Sequence, residues 1–185
     1  MRAFVALNLP DVTRQALWSA IAPLRDLSLP VKWVRPDGIH LTLKFLGEIA
    51  EARQTEVIAA LRRAAHGTRP LPLAIEGFGA FPGPARARVL WAGVAPDPGL
   101  ELLQHAIERE FTPLGFPTEA RTFRPHVTLG RAQRDARPAA FRGLEAELAA
   151  LSFAETVVIE RVDLMRSTLQ SGGAVYEVVH HERLS

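Results

Sequence analysis

The chain has 185 residues, no cysteine, a formal net charge of +2 and a hydrophobic fraction of 48%. This length suits one domain with two lobes, and the lack of cysteine excludes disulfides, thiol nucleophiles and thiolate metal sites. No apolar run approaches the roughly 20 residues of a membrane span, and the N-terminal segment has no secretory cleavage pattern. We therefore expect a soluble cytoplasmic protein without a membrane partner.

In the first half of the sequence, two helices and four strands are predicted. Asp11 is expected to be the N-cap of the first helix, whose apolar stripe follows helical spacing and which should end between residues 23 and 29. A second helix is predicted over Ala52 to Ala65. The strands are predicted at Phe4 to Leu9, Val31 to Val34, Ile39 to Leu46 and Leu71 to Phe81, the last entering Pro82-Gly83-Pro84.

The second half of the sequence repeats this scheme. Helices are predicted over Leu100 to Leu114 and Ala139 to Leu151. The extended segments are Val89 to Val94, Arg121 to Leu129, Thr156 to Met165 and Ala174 to His181, with Gly172-Gly173 as the turn of a closing hairpin. This order of elements predicts an α+β fold.

A short motif occurs twice, as His40-Leu41-Thr42-Leu43 and as His126-Val127-Thr128-Leu129. The histidines lie 86 residues apart, from position 40 to position 126, and the same offset relates Pro10-Asp11 to Pro96-Asp97. We infer an internal duplication within one bilobal domain of residues 1–185, with halves of about 1–82 and 85–185. Two copies are too few for a solenoid.

Each tetrad is predicted to place its histidine and threonine on one face of a strand and its two apolar residues on the other. An imidazole exchanges protons near neutral pH, so a pair of them suits general acid–base catalysis at a phosphate. The hydroxyls of Thr42 and Thr128 are suited to donate hydrogen bonds to the non-bridging oxygens. A single tetrad is more often structural, and the duplication is what favours the catalytic interpretation.

The sequence resembles the 2H phosphoesterase superfamily, in its RNA 2′,3′-cyclic phosphodiesterase branch of the LigT or ThpR type. The first motif is carried by Trp33-Val34, Pro36 and His40-Leu-Thr-Leu-Lys-Phe-Leu-Gly47, and the second by Phe123-Arg-Pro-His-Val-Thr-Leu-Gly-Arg131. Weaker matches extend the resemblance over essentially the whole chain: Arg2 to Leu7, Val89 to Val94, Leu164, Ser167, Leu169, Gly173 and Tyr176.

This resemblance implies a LigT-like fold in which two antiparallel sheets line a central cleft, with helices outside and a pseudo-two-fold axis. It implies hydrolysis of 2′,3′-cyclic phosphate RNA ends to 2′-phosphates, together with a reversible 2′-5′ RNA ligase activity. His40 is assigned as the proton donor toward O3′ and His126 as the proton acceptor from water. No metal and no cofactor are expected.

Two arginines are candidate phosphate-binding residues, because a guanidinium binds phosphate in a bidentate manner. Arg131 occupies the arginine position after the second family motif. Strict strand alternation places it opposite His126, unless Gly130 breaks the strand. Arg124 shares the face of His126 by alternation, and a solvated surface position is the alternative for it.

The residues after the first tetrad are less informative. Lys44 shares the predicted face of His40 and Thr42, and either lines the cleft or lies on the surface. Phe45 is expected in the core beside Leu41, although aromatic residues also stack on bases in RNA sites. Three further aromatic residues are expected in the core or the cleft wall: Trp33, Trp91 and Tyr176.

The expected partner is RNA with 2′,3′-cyclic phosphate ends, including tRNA fragments, and the expected oligomeric state is a monomer. Two alternatives remain open at this stage. One is a cyclic phosphodiesterase for a small nucleotide such as ADP-ribose 1″,2″-cyclic phosphate. The other is an RNA-end binding protein without catalysis, which needs hydrogen-bond donors but not two matched titrating groups.

Overall fold

The structure is a computed structural model that describes residues 1–185. Its strands are β1 (Arg2–Asn8), β2 (Val31–Trp33), β3 (His40–Glu48), β4 (Leu71–Phe81), β5 (Val89–Val94), β6 (His126–Ala132), β7 (Ala154–Ile159), β8 (Arg161–Gln170) and β9 (Gly173–Arg183). Its α-helices are α1 (Asp11–Ala20), α2 (Ala22–Arg25), α3 (Gln54–Ala65), α4 (Pro98–Phe111) and α5 (Leu144–Ala150). None of these helices is long and apolar enough to cross a membrane.

The strands form two antiparallel sheets, which confirms the predicted fold class. The first sheet has the order β3-β1-β8-β9 and the second has the order β2-β6-β5-β4-β7. Apart from β2, the two orders correspond strand by strand, so that β3 and β6 occupy equivalent places. Each sheet takes strands from both halves of the sequence: the closing hairpin β8–β9 pairs with β1 in the first sheet, and β2 and β4 pair with β6 and β5 in the second.

One continuous hydrophobic core joins the two sheets and the helices. It includes Val5 and Leu41 from the first sheet and Leu73 and Val127 from the second, all fully buried. The helices contribute apolar stripes at the three- and four-residue spacing that places side chains on one face of a helix. The α4 stripe, for example, is Leu100, Leu103, Ile107 and Phe111.

The prediction that Asp11 caps the first helix is wrong. Pro10 occupies the cap position, Asp11 is the first helical residue, and its carboxylate accepts a hydrogen bond from Arg14. At the equivalent turn, Asp97 does cap α4, since its side chain accepts from the backbone N–H of Leu100 at 3.0 Å. The duplicated Pro-Asp turns therefore begin their helices in different ways.

Two predicted elements are divided in the structure. The strand expected over Thr156 to Met165 is broken at Glu160, so that β7 ends in the second sheet and β8 begins in the first. The helix expected over Ala139 to Leu151 is a 3-10 turn at Pro138–Phe141 followed by the short α5. Gly143, with a φ of +83°, separates the two, because its left-handed backbone conformation interrupts a helix.

Candidate active site

A β-bulge follows the first tetrad threonine and reverses the alternation of the strand. In the pairing of β3 with β1, Thr42 lies opposite Ala6 and Lys44 lies opposite Val5, which leaves Leu43 without a partner. An extra residue of this kind moves the side chains that follow it to the other face, here up to a second register shift between Phe45 and Gly47. Lys44 is accordingly buried on the core side of the sheet.

The second tetrad strand has an equivalent bulge. In the pairing of β6 with β5, Thr128 lies opposite Trp91 and Gly130 lies opposite Leu90, which leaves Leu129 without a partner. Leu43 and Leu129 are 86 residues apart, so the duplication includes the bulge. The face of each sheet that carries the histidine and the threonine is called here the tetrad face.

The two bulges bring one further residue from each strand onto the tetrad face. On β3 this residue is Phe45, which is 62% exposed and whose ring lies 6.2 Å from that of Phe4. The prediction that Phe45 packs in the core is therefore wrong. On β6 the equivalent residue is Arg131, which is exposed. It lies on the same side of the strand as His126, so strict alternation does not hold and the alternative of a broken strand applies.

The two imidazole rings are held in the same way. Nδ1 of His40 lies 2.8 Å from the carbonyl oxygen of Gly38, and Nδ1 of His126 lies 2.7 Å from the carbonyl oxygen of Arg124. A carbonyl only accepts, so each Nδ1 carries a proton and donates it. The neutral ring then has an unprotonated Nε2, which is the nitrogen available for proton transfer.

Each histidine ring contacts at least one aromatic ring. The ring of His40 lies 4.9 Å from that of Phe4 and 5.2 Å from that of Tyr176. The ring of His126 lies edge-on to Phe81 at 5.0 Å. Tyr176 is thus part of the site wall, one of the two places that the sequence left open for it.

The environment lowers the pKa of both histidines. Burial lowers the pKa of His40 from 6.5 to about 4, against the hydrogen bond to Gly38, and the nearby charges of Arg131 and Arg14 lower it further. Burial also lowers the pKa of His126, and the charge of Arg131 acts in the same direction. Both rings are therefore neutral at pH 7 in the unliganded protein.

Arg131 also shows that the two histidines belong to one site. Its guanidinium is the positive charge that acts on both imidazoles, although His40 and His126 lie in different sheets. The strands β3 and β6 approach within 8 Å between Cα atoms. The structure therefore brings together the two predicted histidines and one of the two predicted arginines.

The remaining predicted residues occupy distinct positions. The hydroxyl of Thr42 lies 2.9 Å from Nε2 of His40 and donates to it in the neutral form. Thr128 lies at the equivalent point of β6, opposite Trp91. Arg124 precedes β6, so strand alternation does not determine the direction of its exposed side chain. Its observed contact with the site is made by its backbone carbonyl, which accepts a hydrogen bond from His126.

Lys44 lies neither in the cleft nor on the surface, so both options expected for it are wrong. Its ammonium group donates to both carboxylate oxygens of Glu108 on α4, at 3.0 and 2.9 Å, and to the carbonyl of Pro117 at 2.8 Å. The backbone N–H of Glu119 donates to the same carboxylate. This ion pair joins β3 to the loop that leads into His126.

Sequence reasoning missed three residues that shape the site: Phe4, Phe81 and Arg14. Phe4 and Phe81 lie on predicted strands, but only the pairing between strands shows which face they occupy. Arg14 lies on α1 and donates to the carbonyl of Asp37, which places its charge near His40. No local pattern in the sequence identifies that proximity.

Comparison with known proteins agrees with this geometry. The family model of the 2′-5′ RNA ligase superfamily matches residues 13–170, a range that includes both tetrads. The RNA 2′,3′-cyclic phosphodiesterase of Methanothermobacter thermautotrophicus is 32% identical over 176 residues, which is 95% of each chain. The protein of the same name from Aquifex aeolicus is 36% identical over 156 residues, covering 83% of this chain and 82% of that one.

A solved structure shares the fold. The crystal structure of TT0787 of Thermus thermophilus superposes with a TM-score of 0.83 and 29% identity, covering 100% of this chain and 98% of that one. The match extends over both sheets and confirms the predicted resemblance at the level of the whole chain. The chain therefore belongs to the 2′-5′ RNA ligase superfamily, the 2H phosphoesterases.

Proposed function

We propose that this protein is an RNA 2′,3′-cyclic phosphodiesterase that opens the cyclic phosphate to a 2′-phosphate. The observation that carries the proposal is the matched pair of imidazoles, each bonded through Nδ1 to a carbonyl two residues earlier and each presenting Nε2 on the tetrad face, where Nε2 of His40 accepts from Thr42. The names of the relatives from Methanothermobacter thermautotrophicus and Aquifex aeolicus support the same substrate.

In the proposed reaction, a water molecule attacks phosphorus while the bond between phosphorus and O3′ breaks. His126 accepts the proton from water, and His40 donates a proton to O3′ as it leaves. The product carries a 2′-phosphate and a free 3′-hydroxyl. These side chains perform each proton transfer, so the scheme requires no metal ion or cofactor.

The phosphate is held by hydroxyl and guanidinium groups in this proposal. Thr42 and Thr128 donate hydrogen bonds to the non-bridging oxygens, whose negative charge increases in the transition state. Arg131 compensates that charge from the tetrad face, and Arg124 is a second candidate at the edge of the site. Thr42 already lies within 2.9 Å of Nε2 of His40, so substrate binding redirects its hydroxyl to the phosphate.

The acid must gain its proton when the substrate binds, because both imidazoles are neutral in the unliganded protein. The pKa of His40 is lowered chiefly by burial and further by positive charge. A phosphate monoanion at the site opposes both effects, since it neutralises Arg131 and favours an adjacent imidazolium. Substrate binding therefore prepares the acid, while the unprotonated base is available beforehand.

The decisive test combines two variants with product analysis. His40→Ala and His126→Ala are each expected to lose about 10²- to 10⁴-fold in turnover of an RNA with a 2′,3′-cyclic phosphate end, the range for general acid–base catalysis. His105→Ala is a matched control, because His105 is exposed on α4. Full activity in either site variant would contradict the mechanism, and a 3′-phosphate product would contradict the direction of opening.

The same measurements separate the alternatives. RNA binding without turnover by the wild-type protein would indicate an RNA-end binding protein. Faster turnover of ADP-ribose 1″,2″-cyclic phosphate than of RNA would indicate a small-nucleotide substrate. We also propose that residues 1–185 act as a single bilobal domain, because the hydrophobic core is continuous between the sheets.

A further inference from the structure

Five arginines are grouped where β6 and the β4–β5 connection meet, at one end of the second sheet. Two segments lie side by side there: the backbone N–H of Ala132 donates to the carbonyl of Arg88 at 2.9 Å. The 3-10 turns Pro84–Arg86 and Pro138–Phe141 also contact each other. The exposed residues that we call the arginine surface are Arg86, Arg88, Arg134, Arg137 and Arg142.

The arginine surface is not neutralised by the protein itself. None of its five guanidinium groups forms a salt bridge or donates a side-chain hydrogen bond, and Asp135 is the one acidic residue in residues 82–88 and 133–142. Arginines on α3 and α4 behave differently. Arg62 pairs with Glu182, and Arg63 and Arg109 both pair with Glu110.

This contrast matters because the whole chain is rich in arginine. Composition alone would distribute unpaired and paired arginines evenly over the surface. Arginines without a salt bridge also occur elsewhere, as at Arg2 and Arg69, but here five lie on two adjoining segments that contain a single carboxylate. Unpaired guanidinium groups at this density repel one another, so their grouping favours an anionic partner.

The arginine surface also continues directly from the active site. β6 begins with His126, carries Arg131 on the tetrad face and ends at Ala132, where the arginine surface begins. Arg131 follows His126 by five residues on the same strand, and its charge acts on both imidazoles. Positive charge therefore extends from the reacting phosphate outward in one direction.

We propose that the arginine surface binds the phosphodiester backbone of the RNA strand that leads to the cyclic end. This inference rests on the proposed function and specifies its preferred substrate class: an oligonucleotide is turned over more efficiently than a mononucleotide. Arginine suits phosphate through bidentate hydrogen bonds, and backbone binding of this kind is electrostatic and independent of sequence. The surface therefore supplies affinity for an RNA strand without selecting its bases.

The test compares two triple variants on two substrates. Arg86→Gln, Arg134→Gln and Arg137→Gln remove charge from the arginine surface, and Arg62→Gln, Arg63→Gln and Arg109→Gln are the matched control on the helices. One substrate is cytidine 2′,3′-cyclic phosphate. The other is an RNA of about eight nucleotides with the same terminal nucleoside, a length within the ~4–16 nucleotides that single-strand sites span.

The surface variant is expected to lower kcat/KM for the octamer about tenfold and to leave kcat/KM for the mononucleotide unchanged. The slope of log kcat/KM against log salt for the octamer should become shallower by about 2, since each lost phosphate contact contributes about 0.7. The control triple variant should match the wild-type protein on both substrates.

Three outcomes would overturn the inference. They are equal kcat/KM of the wild-type protein for octamer and mononucleotide, an equal loss in both triple variants, and an unchanged salt slope. If the wild-type protein turns over neither substrate, the proposed function fails instead. In that case, binding of an uncleavable octamer with a 3′-phosphate end is measured for the wild-type protein and both variants. Weaker binding by the surface variant alone would support the arginine surface as an RNA-binding site, and equal binding by all three proteins would contradict it.

Discussion

Replacing Lys44 by methionine is expected to be among the most damaging single changes in this protein. The side chain of Lys44 is 3% exposed and that of Glu108 is 11% exposed, so the variant leaves a carboxylate buried without its cation. Methionine has nearly the same length as lysine and fills the same space. The loss therefore reports the charge and its hydrogen bonds and not a cavity.

The expected loss follows from the three hydrogen bonds that the ammonium group makes. Removing one partner of a buried ion pair costs about 3–5 kcal/mol of unfolding free energy. The carboxylate of Glu108 keeps weaker donors at 3.3 and 3.4 Å, from Glu119 and Gln104, so the lower end of that range is expected. The double variant Lys44→Met with Glu108→Leu should recover to within about 1 kcal/mol of wild type, the remainder being the unpaired carbonyl of Pro117.

Urea unfolding followed by circular dichroism measures these changes, with Arg62→Met as the control. Arg62 pairs with Glu182 at the surface, with 66% of its side chain exposed, and such pairs contribute at most about 1 kcal/mol. Lys44→Met should also slow turnover, because the ion pair holds the loop that leads into His126. A loss no larger than that of the Arg62 variant would refute the reasoning.

Three further predictions concern the site and its strands. The pKa of His40 is lowered to about 4, whereas an unfolded chain binds this proton near pH 6.5. The stability contributed by neutral His40 is therefore present above pH 6.5 and is lost as the pH falls toward 4, a change of about 3 kcal/mol in the free energy of unfolding. His40→Asn should remove that part of the pH dependence in urea unfolding. Gly130→Ala places a Cβ within 2.7 Å of a β2 side chain and should cost about 1–3 kcal/mol, whereas Gly83→Ala, with no atom within 4 Å, should be neutral in the same assay. Phe45→Ala should raise KM for a cyclic mononucleotide about tenfold at nearly constant kcat, because base stacking contributes about 1–3 kcal/mol; an unchanged KM would exclude stacking.

Local patterns predicted the strands whose ends are marked by turn residues. β4 and β5 have the predicted bounds, Leu71–Phe81 and Val89–Val94, because proline and glycine lie between two runs of alternating apolar residues. The tetrads were found because a repeated motif of polar residues among apolar ones is visible without any structure. Periodicity predicted that each tetrad lies on a strand, the resemblance implied two sheets, and the structure places the two strands in different sheets.

The predictions that were wrong share a physical cause, which is pairing between strands that are distant in sequence. The bulges at Leu43 and Leu129 depend on the register against β1 and β5, and nothing within residues 40–48 or 126–132 marks the extra residue. Strict alternation consequently predicts Lys44 on the tetrad face and Phe45 on the core face, which is the reverse of the observed arrangement. The break at Glu160 was missed for a related reason, because residues on both sides of it favour strands and only the assembled sheets separate them.

A duplicated fold provides two nearly equivalent histidines, yet cyclic phosphate hydrolysis needs one to give a proton and the other to take one. The equivalence is broken two residues after each bulge, at Phe45 in the strand of His40 and at Arg131 in the strand of His126. An exposed aromatic ring suits a nucleoside, and an exposed guanidinium suits phosphate oxygens and water. We therefore infer that the nucleoside lies over the first sheet, which brings the leaving O3′ to His40 and leaves the attacking water to His126.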